Sequence, residues 1–257
     1  MQVVSNLSKI AHLYDTIIFD IWGVIHEGGL PYPGVASYIN NLAKQTNVYF
    51  LSNTPRPSNI TVNNLASYGI HTIRDFVITS GEVVRNNIIT GATKGMIYHL
   101  GADKNQDILK ELDRLTVSTL SDADYILLTY YALDDEDNQI IFEIFQEAKG
   151  LNLPLLCANP DISVPNKNLR TNCSGYFAKY YSDIGGEVSY CGKPYPEVFA
   201  KVPAIGKVLM VGDTIETDII GANNFGFDSA LVLTGNSRGL DYSKLEVQPT
   251  YVMHSTS

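Results

Sequence analysis

Four short apolar runs, each ended by polar residues, constrain the fold of this chain more than any other feature of its sequence. A continuous apolar run that stops at a polar turn is typical of a buried strand in a parallel sheet. A helical stretch follows each turn, and this alternation indicates an α/β fold. The runs and the residues that end them are Thr16–Phe19 with Asp20, Asn47–Leu51 with Ser52 and Asn53, Val188–Cys191 with Gly192 and Lys193, and Lys207–Val211 with Gly212 and Asp213.

The polar residues after these runs predict one site. In open α/β sheets, ligands bind beyond the carboxyl ends of the strands. Because every run delivers its polar side chains at that end, we expect them to gather at one edge of one sheet.

The long stretch between the second and third runs has a β/α alternation of its own. It predicts strands at Gly95–Leu100, Tyr125–Thr129 and Pro154–Ala158, and helices at Lys104–Leu115 and Glu136–Lys149. A stretch of this length with its own strands and helices indicates an inserted domain. We therefore predict a core domain built from residues 1–82 and 184–257, with an α/β domain inserted at 83–183.

Composition excludes several classes of partner. The chain has 257 residues, of which 45% are hydrophobic and 18% charged, as in an ordinary globular protein. Its 18 Lys and Arg against 27 Asp and Glu give a net charge of −9, which argues against a nucleic-acid or anionic-membrane surface. No run approaches the roughly 18 consecutive apolar residues of a membrane helix. The first residues also lack the basic and apolar regions of a signal peptide.

The cysteines indicate the compartment. Cys157, Cys173 and Cys191 are odd in number and have no CxxC spacing. This usage is typical of reduced packing thiols rather than of a disulfide framework. We therefore expect a cytoplasmic protein that binds neither nucleic acid nor membrane.

Carboxylates at two of the predicted strand ends indicate phosphoryl or metal chemistry. Asp20 can act as a nucleophile or as a metal ligand. Asp213 ends the fourth run, and Asp218 follows it in the same motif. Oxygen ligands from two strand ends, completed by substrate and water, make a typical Mg²⁺ site. The alternatives are a turn role for Asp20 and helix capping by Asp213 or Thr214 with Asp218 in the first helical turn.

The second and third runs end in groups suited to an anion. Ser52 and Asn53 supply a hydroxyl, an amide and backbone N–H groups ahead of a helix that begins near Pro57. Lys193 is a cation in the turn Gly192-Lys193-Pro194. The alternatives are an ordinary strand-to-helix turn and a solvated surface lysine.

Taken in order, these motifs resemble those of the haloacid dehalogenase superfamily of phosphatases and phosphotransferases. The stretches GKPYPEVF from Gly192 and GDTIETDIIGANNFG from Gly212 look most like the subclass with a large cap between the second and third motifs. That subclass contains the NagD-like and p-nitrophenyl-phosphatase-like proteins. The resemblance implies a Rossmann-like parallel-sheet core with a large inserted α/β cap domain.

The family mechanism implies a Mg²⁺-dependent phosphoric-monoester hydrolase that acts on a small phosphorylated metabolite. Asp20 would attack phosphorus and form an aspartyl-phosphate, which water then hydrolyses. The carboxylates of Asp20 and Asp213 and the backbone carbonyl of Trp22 would hold Mg²⁺. Asp218 would support the metal shell.

The resemblance also implies the groups that bind the substrate. Ser52 and Lys193 would bind the transferring phosphoryl group, with Asn53 beside them. In the inserted domain, Asn159 and Asp161 resemble the cap loop that contacts the substrate, although an Asn-Pro-Asp turn that merely ends a strand is an equal alternative. Caps of this kind sometimes dimerise, so a homodimer is left open.

Trp22 departs from the family pattern. Phosphatases of this superfamily usually carry DxD at the first motif, and the second Asp is the general acid and base. An indole can neither protonate a leaving group nor activate water, which puts at risk a factor of roughly 10²–10⁴. The backbone carbonyl of Trp22 is unaffected, so metal binding is not put in doubt.

Three hypotheses follow from this substitution. In the first, which we favour, the protein is a phosphatase limited to good leaving groups such as aryl or acyl phosphates. In the second, His26 or Glu27 replaces the missing acid, although either could be a solvated loop residue. In the third, the protein is catalytically weak or inactive and binds a phosphorylated metabolite as a sensor or scaffold. A different electrophile is a related alternative, but a dehalogenase needs no Mg²⁺, and Asp213 argues against it.

Overall fold

Most described strands belong to two large sheets, one in each of the two units into which the chain divides. Two antiparallel pairs lie outside them, His26–Glu27 with Leu30–Pro31 and Ser163–Asn166 with Leu169–Asn172. The computed structural model describes residues 1–132, 136–166 and 169–257. The first unit comprises Met1–Ser52, Ser58–Ile78 and Lys193–Ser257, and the second comprises Asn53–Pro57 and Thr79–Gly192.

The strands and helices are numbered in chain order. The strands are β1 (Gln2–Asn6), β2 (Thr16–Phe19), β3 (His26–Glu27), β4 (Leu30–Pro31), β5 (Asn47–Ser52), β6 (Val77–Thr79), β7 (Ile97–Gly101), β8 (Thr116–Val117), β9 (Tyr125–Thr129), β10 (Leu155–Cys157), β11 (Ser163–Asn166), β12 (Leu169–Asn172), β13 (Val188–Tyr190), β14 (Val208–Gly212), β15 (Asp228–Val232) and β16 (Tyr251–Ser255). The α-helices are α1 (Val35–Leu42), α2 (Ser58–Ser67), α3 (Ser80–Ile89), α4 (Glu136–Gly150), α5 (Ser174–Asp183), α6 (Pro196–Phe199) and α7 (Ile220–Phe225).

The sheet of the first unit has seven strands in the order β1-β16-β15-β14-β2-β5-β6. The pairings of β2 with β14 and with β5 are parallel, and Phe19 lies opposite both Val211 and Phe50. Every residue of β2 and of β14 is buried, as expected for continuous apolar runs covered on both faces. This sheet confirms the predicted parallel α/β fold. It also brings the ends of β14, β2 and β5 side by side.

Apolar side chains on the sheet and on its helices hold this edge in place. Ile17, Phe19 and Val211 are buried in one core cluster. The helix α1 adds Val35, Ile39 and Leu42 from one face, at the spacing of successive helical turns. Burial of this kind stabilises by about 25 cal/mol per Å² of apolar surface, so it stabilises the sheet that carries these strand ends.

The sheet of the second unit has five strands in the order β13-β10-β9-β7-β8. Its hydrogen-bonded pairings are parallel, and β13 pairs with β10. The prediction that the run Val188–Cys191 is a strand of the same sheet as Thr16–Phe19 is therefore wrong. For the same reason the second unit extends to Gly192, whereas the sequence placed the end of the inserted domain at residue 183.

Most elements predicted inside the second unit are found there. The strand Tyr125–Thr129 has the predicted bounds, and the other two strands and the helix α4 differ from prediction by one or two residues. The helix predicted at Lys104–Leu115 is wrong, because two 3₁₀ segments, Asp103–Leu109 and Asp113–Leu115, occupy that stretch. Glu111 has a φ of 70°, a left-handed conformation that an α-helix cannot contain.

The described helices and the three cysteines bear on two expectations from the sequence, one about membrane helices and one about packing thiols. Among the described residues, no helix is long and apolar enough to cross a bilayer. Cys157, Cys173 and Cys191 are free and buried, which fits their predicted role as packing thiols.

Candidate active site

Three buried carboxylates meet at the carboxyl edge of the seven-stranded sheet. Asp20 follows β2, and its backbone N–H donates to the carbonyl of Val211 at 2.9 Å. Asp213 follows β14 directly, and Asp218 lies in the π-helical turn Ile215–Ile219 that precedes α7. Each offers a carboxylate oxygen within 4.8 Å of the others. The sequence therefore predicted correctly that these strand ends converge.

Lys193 lies within the same cluster. Its Nζ donates to Asp20 Oδ1 at 2.5 Å and to Asp218 Oδ1 at 2.6 Å. The residue is only 2% exposed, which excludes the alternative of a solvated surface lysine. Burial alone would lower the pKa of the Lys193 ammonium, but the carboxylates of Asp20 and Asp218 raise it above its usual range. Lys193 is therefore a fixed positive charge at neutral pH.

One ammonium does not balance three carboxylates. Burial raises the pKa of Asp213 well above its usual value, and the charges of Asp20 and Asp218 raise it further. Burial also raises the pKa of Asp218 to about 6, although Lys193 opposes the shift. The excess negative charge and the oxygen-only donor set suit a hard divalent cation. Asp20, Asp213 and Asp218 could therefore hold such an ion.

Asp218 takes the helix-start role that the sequence allowed as an alternative, and it also contacts Lys193. Its Oδ2 accepts from the backbone N–H of Thr214 at 3.1 Å, in the manner of an acid at the start of a helix. Its Oδ1 accepts from Lys193. Within the described part of the chain, Thr214 stands at the N-cap without a capping bond from its own side chain. Capping alone therefore does not account for this motif.

A loop that the sequence did not single out supports Asp213. The backbone N–H of Asn236 donates to Asp213 Oδ2 at 2.6 Å, and Ser237 Oγ donates to the Asp213 carbonyl at 2.6 Å. A Cβ at Gly235, whose φ is 48°, would lie 2.0 Å from Asp213 Oδ2. The sequence does carry a signal for this loop. Like the four apolar runs, the buried strand β15 is followed by a polar turn, Thr234-Gly235-Asn236-Ser237.

Ser52 is placed by strand register. It is the last residue of β5, half-buried, and β5 is the neighbour of β2. Because Phe50 lies opposite Phe19, Ser52 extends past the same edge of the sheet as Asp20. Its predicted contact with a phosphoryl group remains a prediction.

The other three predicted substrate residues belong to the second unit. Asn53 Nδ2 donates to Asp161 Oδ1 at 2.7 Å, and the backbone N–H of Asp161 donates to Asn159 Oδ1 at 3.0 Å. The second bond forms an Asx turn, which fits the alternative that Asn159-Pro160-Asp161 is a turn at the end of a strand. Contact of Asn53, Asn159 and Asp161 with a substrate remains a prediction.

His26 and Glu27 are the two side chains that the sequence offered as replacements for the missing general acid. Glu27 pairs with Arg238 and accepts from Tyr32 Oη at 2.9 Å, so its carboxylate is already engaged. The His26 ring packs 5.0 Å from the Tyr68 ring, between centroids, and burial lowers the pKa of this histidine. Whether either side chain reaches a leaving group remains a prediction.

Comparison with known proteins finds one family along most of the chain. Residues 17–114 match the family model described as haloacid dehalogenase-like hydrolase, and residues 190–257 match one described as HAD-hydrolase-like. An acid sugar phosphatase of Staphylococcus epidermidis is 25% identical over 246 residues, which cover 93% of each chain.

Two solved structures are similar to this chain over nearly its whole length. A haloacid dehalogenase-like hydrolase from Brucella suis has a TM-score of 0.83 and 26% identity, covering 99% of this chain and 100% of its own. A possible sugar phosphatase from Cytophaga hutchinsonii shares the fold, with a TM-score of 0.82 and 24% identity over 100% of this chain and 98% of its own.

Replacing Lys193 by methionine tests the charge balance of the cluster. Lys193→Met leaves three buried carboxylates without their ammonium, so we expect the free energy of unfolding at pH 7.5 to fall by about 3–5 kcal/mol. The loss should shrink towards pH 5.5. Without Lys193 the carboxylate pKa values rise further in the folded state, and a group that binds its proton more tightly when folded favours folding as pH falls. Urea unfolding followed by Trp22, the single tryptophan, reports on the first unit.

Lys244→Met is the matched control for this experiment. Lys244 lies in the same unit, its side chain is 81% exposed, and it pairs with Asp241 at the surface. Its loss should change stability by no more than about 0.5 kcal/mol. Equal stability of the two variants at pH 7.5 would contradict the charge balance described above.

Proposed function

We propose that this chain, which belongs to the haloacid dehalogenase superfamily of hydrolases, is a Mg²⁺-dependent phosphatase of small phosphorylated metabolites. The observation that supports this most strongly is the buried contact of Lys193 with Asp20, beside Asp213 and Asp218. The similarity to a curated acid sugar phosphatase supports a phosphoric monoester as the substrate class.

Asp20 is the proposed nucleophile. One of its carboxylate oxygens attacks phosphorus, the bond from phosphorus to the leaving oxygen breaks, and the leaving group departs with that electron pair. The product on the enzyme is an aspartyl-phosphate. Water then attacks its phosphorus, the bond to Asp20 breaks, and inorganic phosphate and the free carboxylate are released.

Lys193 and Ser52 are the proposed phosphoryl-binding residues. The Lys193 ammonium already contacts Asp20, so it stands next to the position at which phosphoryl oxygens collect negative charge. A fixed cation in a buried site stabilises that charge more than it would in water. The Ser52 hydroxyl, at the neighbouring strand end, is a hydrogen-bond donor for a phosphoryl oxygen.

Asp20, Asp213 and the carbonyl of Trp22 are the proposed Mg²⁺ ligands, with Asp218 supporting them. When bound, the ion would offset charge on the phosphoryl oxygens and on the carboxylate cluster. The loop residues Gly235 and Asn236 fix the orientation of Asp213, because one leaves room for its carboxylate and the other donates to it.

Trp22 limits the range of substrates in this proposal. Without a second Asp, the leaving oxygen must depart without a proton from that position. Aryl and acyl phosphates tolerate this because their leaving groups are weak bases, whereas alkyl phosphates do not. The same substitution supports a second candidate function, a phosphometabolite-binding protein that turns over slowly or not at all.

Hydrolysis of p-nitrophenyl phosphate tests the nucleophile. We expect turnover in Mg²⁺, none in EDTA, and none in Asp20→Asn, because an amide oxygen cannot replace the carboxylate as nucleophile. Asp183→Asn, which alters a carboxylate paired with Lys179 at the surface of the second unit, is the control and should keep its activity. Activity surviving in a folded Asp20→Asn variant would refute the assignment.

Substitution of Gly235 tests the metal site. In Gly235→Ala the new Cβ displaces Asp213, so we expect Mg²⁺ affinity to fall by about 10- to 100-fold. The measurement is the rise of Tm with Mg²⁺ concentration, which needs no turnover. Gly239→Ala is the matched control, since Gly239 also has a positive φ, 76°, but open space at its Cβ position. Equal Mg²⁺ affinity in both variants would refute the role of Asp213.

Restoring an acid at position 22 tests the cause of the substrate limit. Trp22→Asp should hydrolyse alkyl phosphates faster, by roughly 10²-fold, because a carboxylic acid can protonate the leaving oxygen. Aryl phosphates should gain less. Trp22→Asn removes the same indole without adding an acid, so it should show no such gain. If the two folded variants behave alike, the missing acid is not what limits the protein.

A further inference from the structure

We propose that Asp161 is a positioning residue, which fixes Asn53 and through it the backbone next to the phosphoryl-binding Ser52. The inference rests on the proposed function for the role of Ser52. It assigns Asp161 a role different from the substrate contact that the sequence predicts for it.

The contact between Asn53 and Asp161 is short and sheltered. Asn53 Nδ2 donates to Asp161 Oδ1 at 2.7 Å, and Asn53 is only 4% exposed. A hydrogen bond to an ionised carboxylate is roughly twice as strong as one between neutral groups, and little water competes with it at a buried donor. The Asn53 side chain is therefore held in one orientation.

Asp161 is itself fixed by its own loop. Its backbone N–H donates to Asn159 Oδ1 at 3.0 Å, and its carbonyl accepts from Gly175 in α5 at 3.1 Å. Cys157 Sγ donates to the Asn159 carbonyl at 3.2 Å and so ties the loop to the end of β10. The carboxylate that holds Asn53 is thus anchored to a buried strand and to a helix.

The same loop packs against a second functional segment. A Cβ at Gly192, whose φ is 139°, would lie 2.4 Å from Pro160 Cδ and 2.7 Å from Asn53 Oδ1. Gly192 is the last residue of the second unit, and Lys193 follows it. The loop therefore contacts the residue after Ser52 and the residue before Lys193.

Chain connectivity carries this constraint to the phosphoryl-binding residues. Consecutive Cα atoms are fixed at about 3.8 Å, so a shift of Asn53 moves the backbone of Ser52. Misplacement of a binding group by about 1 Å can cost on the order of 10²-fold in rate. We therefore expect the Asn53–Asp161 hydrogen bond to influence turnover even if neither side chain contacts the substrate.

Reciprocal exchange of the two side chains separates positioning from substrate contact. Asn53→Asp places two carboxylates against each other, and we expect turnover of p-nitrophenyl phosphate to fall at least about tenfold. The double variant Asn53→Asp with Asp161→Asn restores one donor and one acceptor in reversed order, and should recover most of that loss. If Asn53 and Asp161 instead contacted the substrate directly, exchanging them would not restore those contacts. A double variant as impaired as Asn53→Asp would therefore overturn the proposal.

Hydrogen exchange of backbone amides gives a readout independent of turnover. Asp161→Ala should speed exchange at residues 52–54 by about tenfold or more, because the acceptor is lost. Asp161→Asn retains an acceptor oxygen and should leave this exchange slow. Asp183→Ala, which removes an exposed carboxylate of the same unit, should also leave it unchanged.

These two readouts keep the proposal distinct from the proposed function. If the parent protein fails to turn over any phosphate ester, the exchange rates at residues 52–54 still decide the positioning role. Unchanged exchange in a folded Asp161→Ala variant would overturn it, whatever the activity of the parent.

Discussion

The buried ammonium of Lys193 is the interaction on which the rest of the site depends. It bonds two carboxylates, Asp20 and Asp218, in a place that excludes most water. Taking carboxylates out of water costs several kcal/mol each, and the ammonium at hydrogen-bond distance offsets part of that cost for Asp20 and Asp218. The position of Lys193 therefore brings the carboxylates of Asp20 and Asp218 together around one positive charge.

The geometry that makes this possible comes from the order of strands. Because β14, β2 and β5 are adjacent and parallel, their carboxyl ends present Asp213, Asp20 and Ser52 on one edge without any special turn. Asp218 then needs only the first turn after Asp213 to reach Lys193. The site is thus built mainly on buried strands, which hold side chains more firmly than mobile loops do.

Sequence patterns predicted this part of the molecule well, because apolar runs and the residues that end them are local features. The strand β13 was misplaced because the run Val188–Cys191 shows that a strand forms but not which sheet it joins. Gly235 and Asn236 were missed because they support Asp213 through an absent Cβ and a backbone N–H, whereas the sequence pattern was searched for polar side chains at strand ends. The helix predicted over Lys104–Leu115 failed at the left-handed conformation of Glu111, which tertiary contacts and not local pattern decide.

The absence of an acid at Trp22 affects the two steps of the proposed reaction differently. A weakly basic leaving group removes the need for an acid when Asp20 is phosphorylated, but no choice of substrate activates the water that must release phosphate. For aryl and acyl phosphates the remaining deficit therefore falls on the second step, the hydrolysis of the aspartyl-phosphate. A buried charge cluster of this kind is a poor source of stability, since apolar side chains of similar volume often serve a fold as well or better. Folding alone therefore does not explain this cluster, whereas the proposed phosphoryl binding would. If phosphate release is slow, the two candidate functions are one catalytic cycle at different rates.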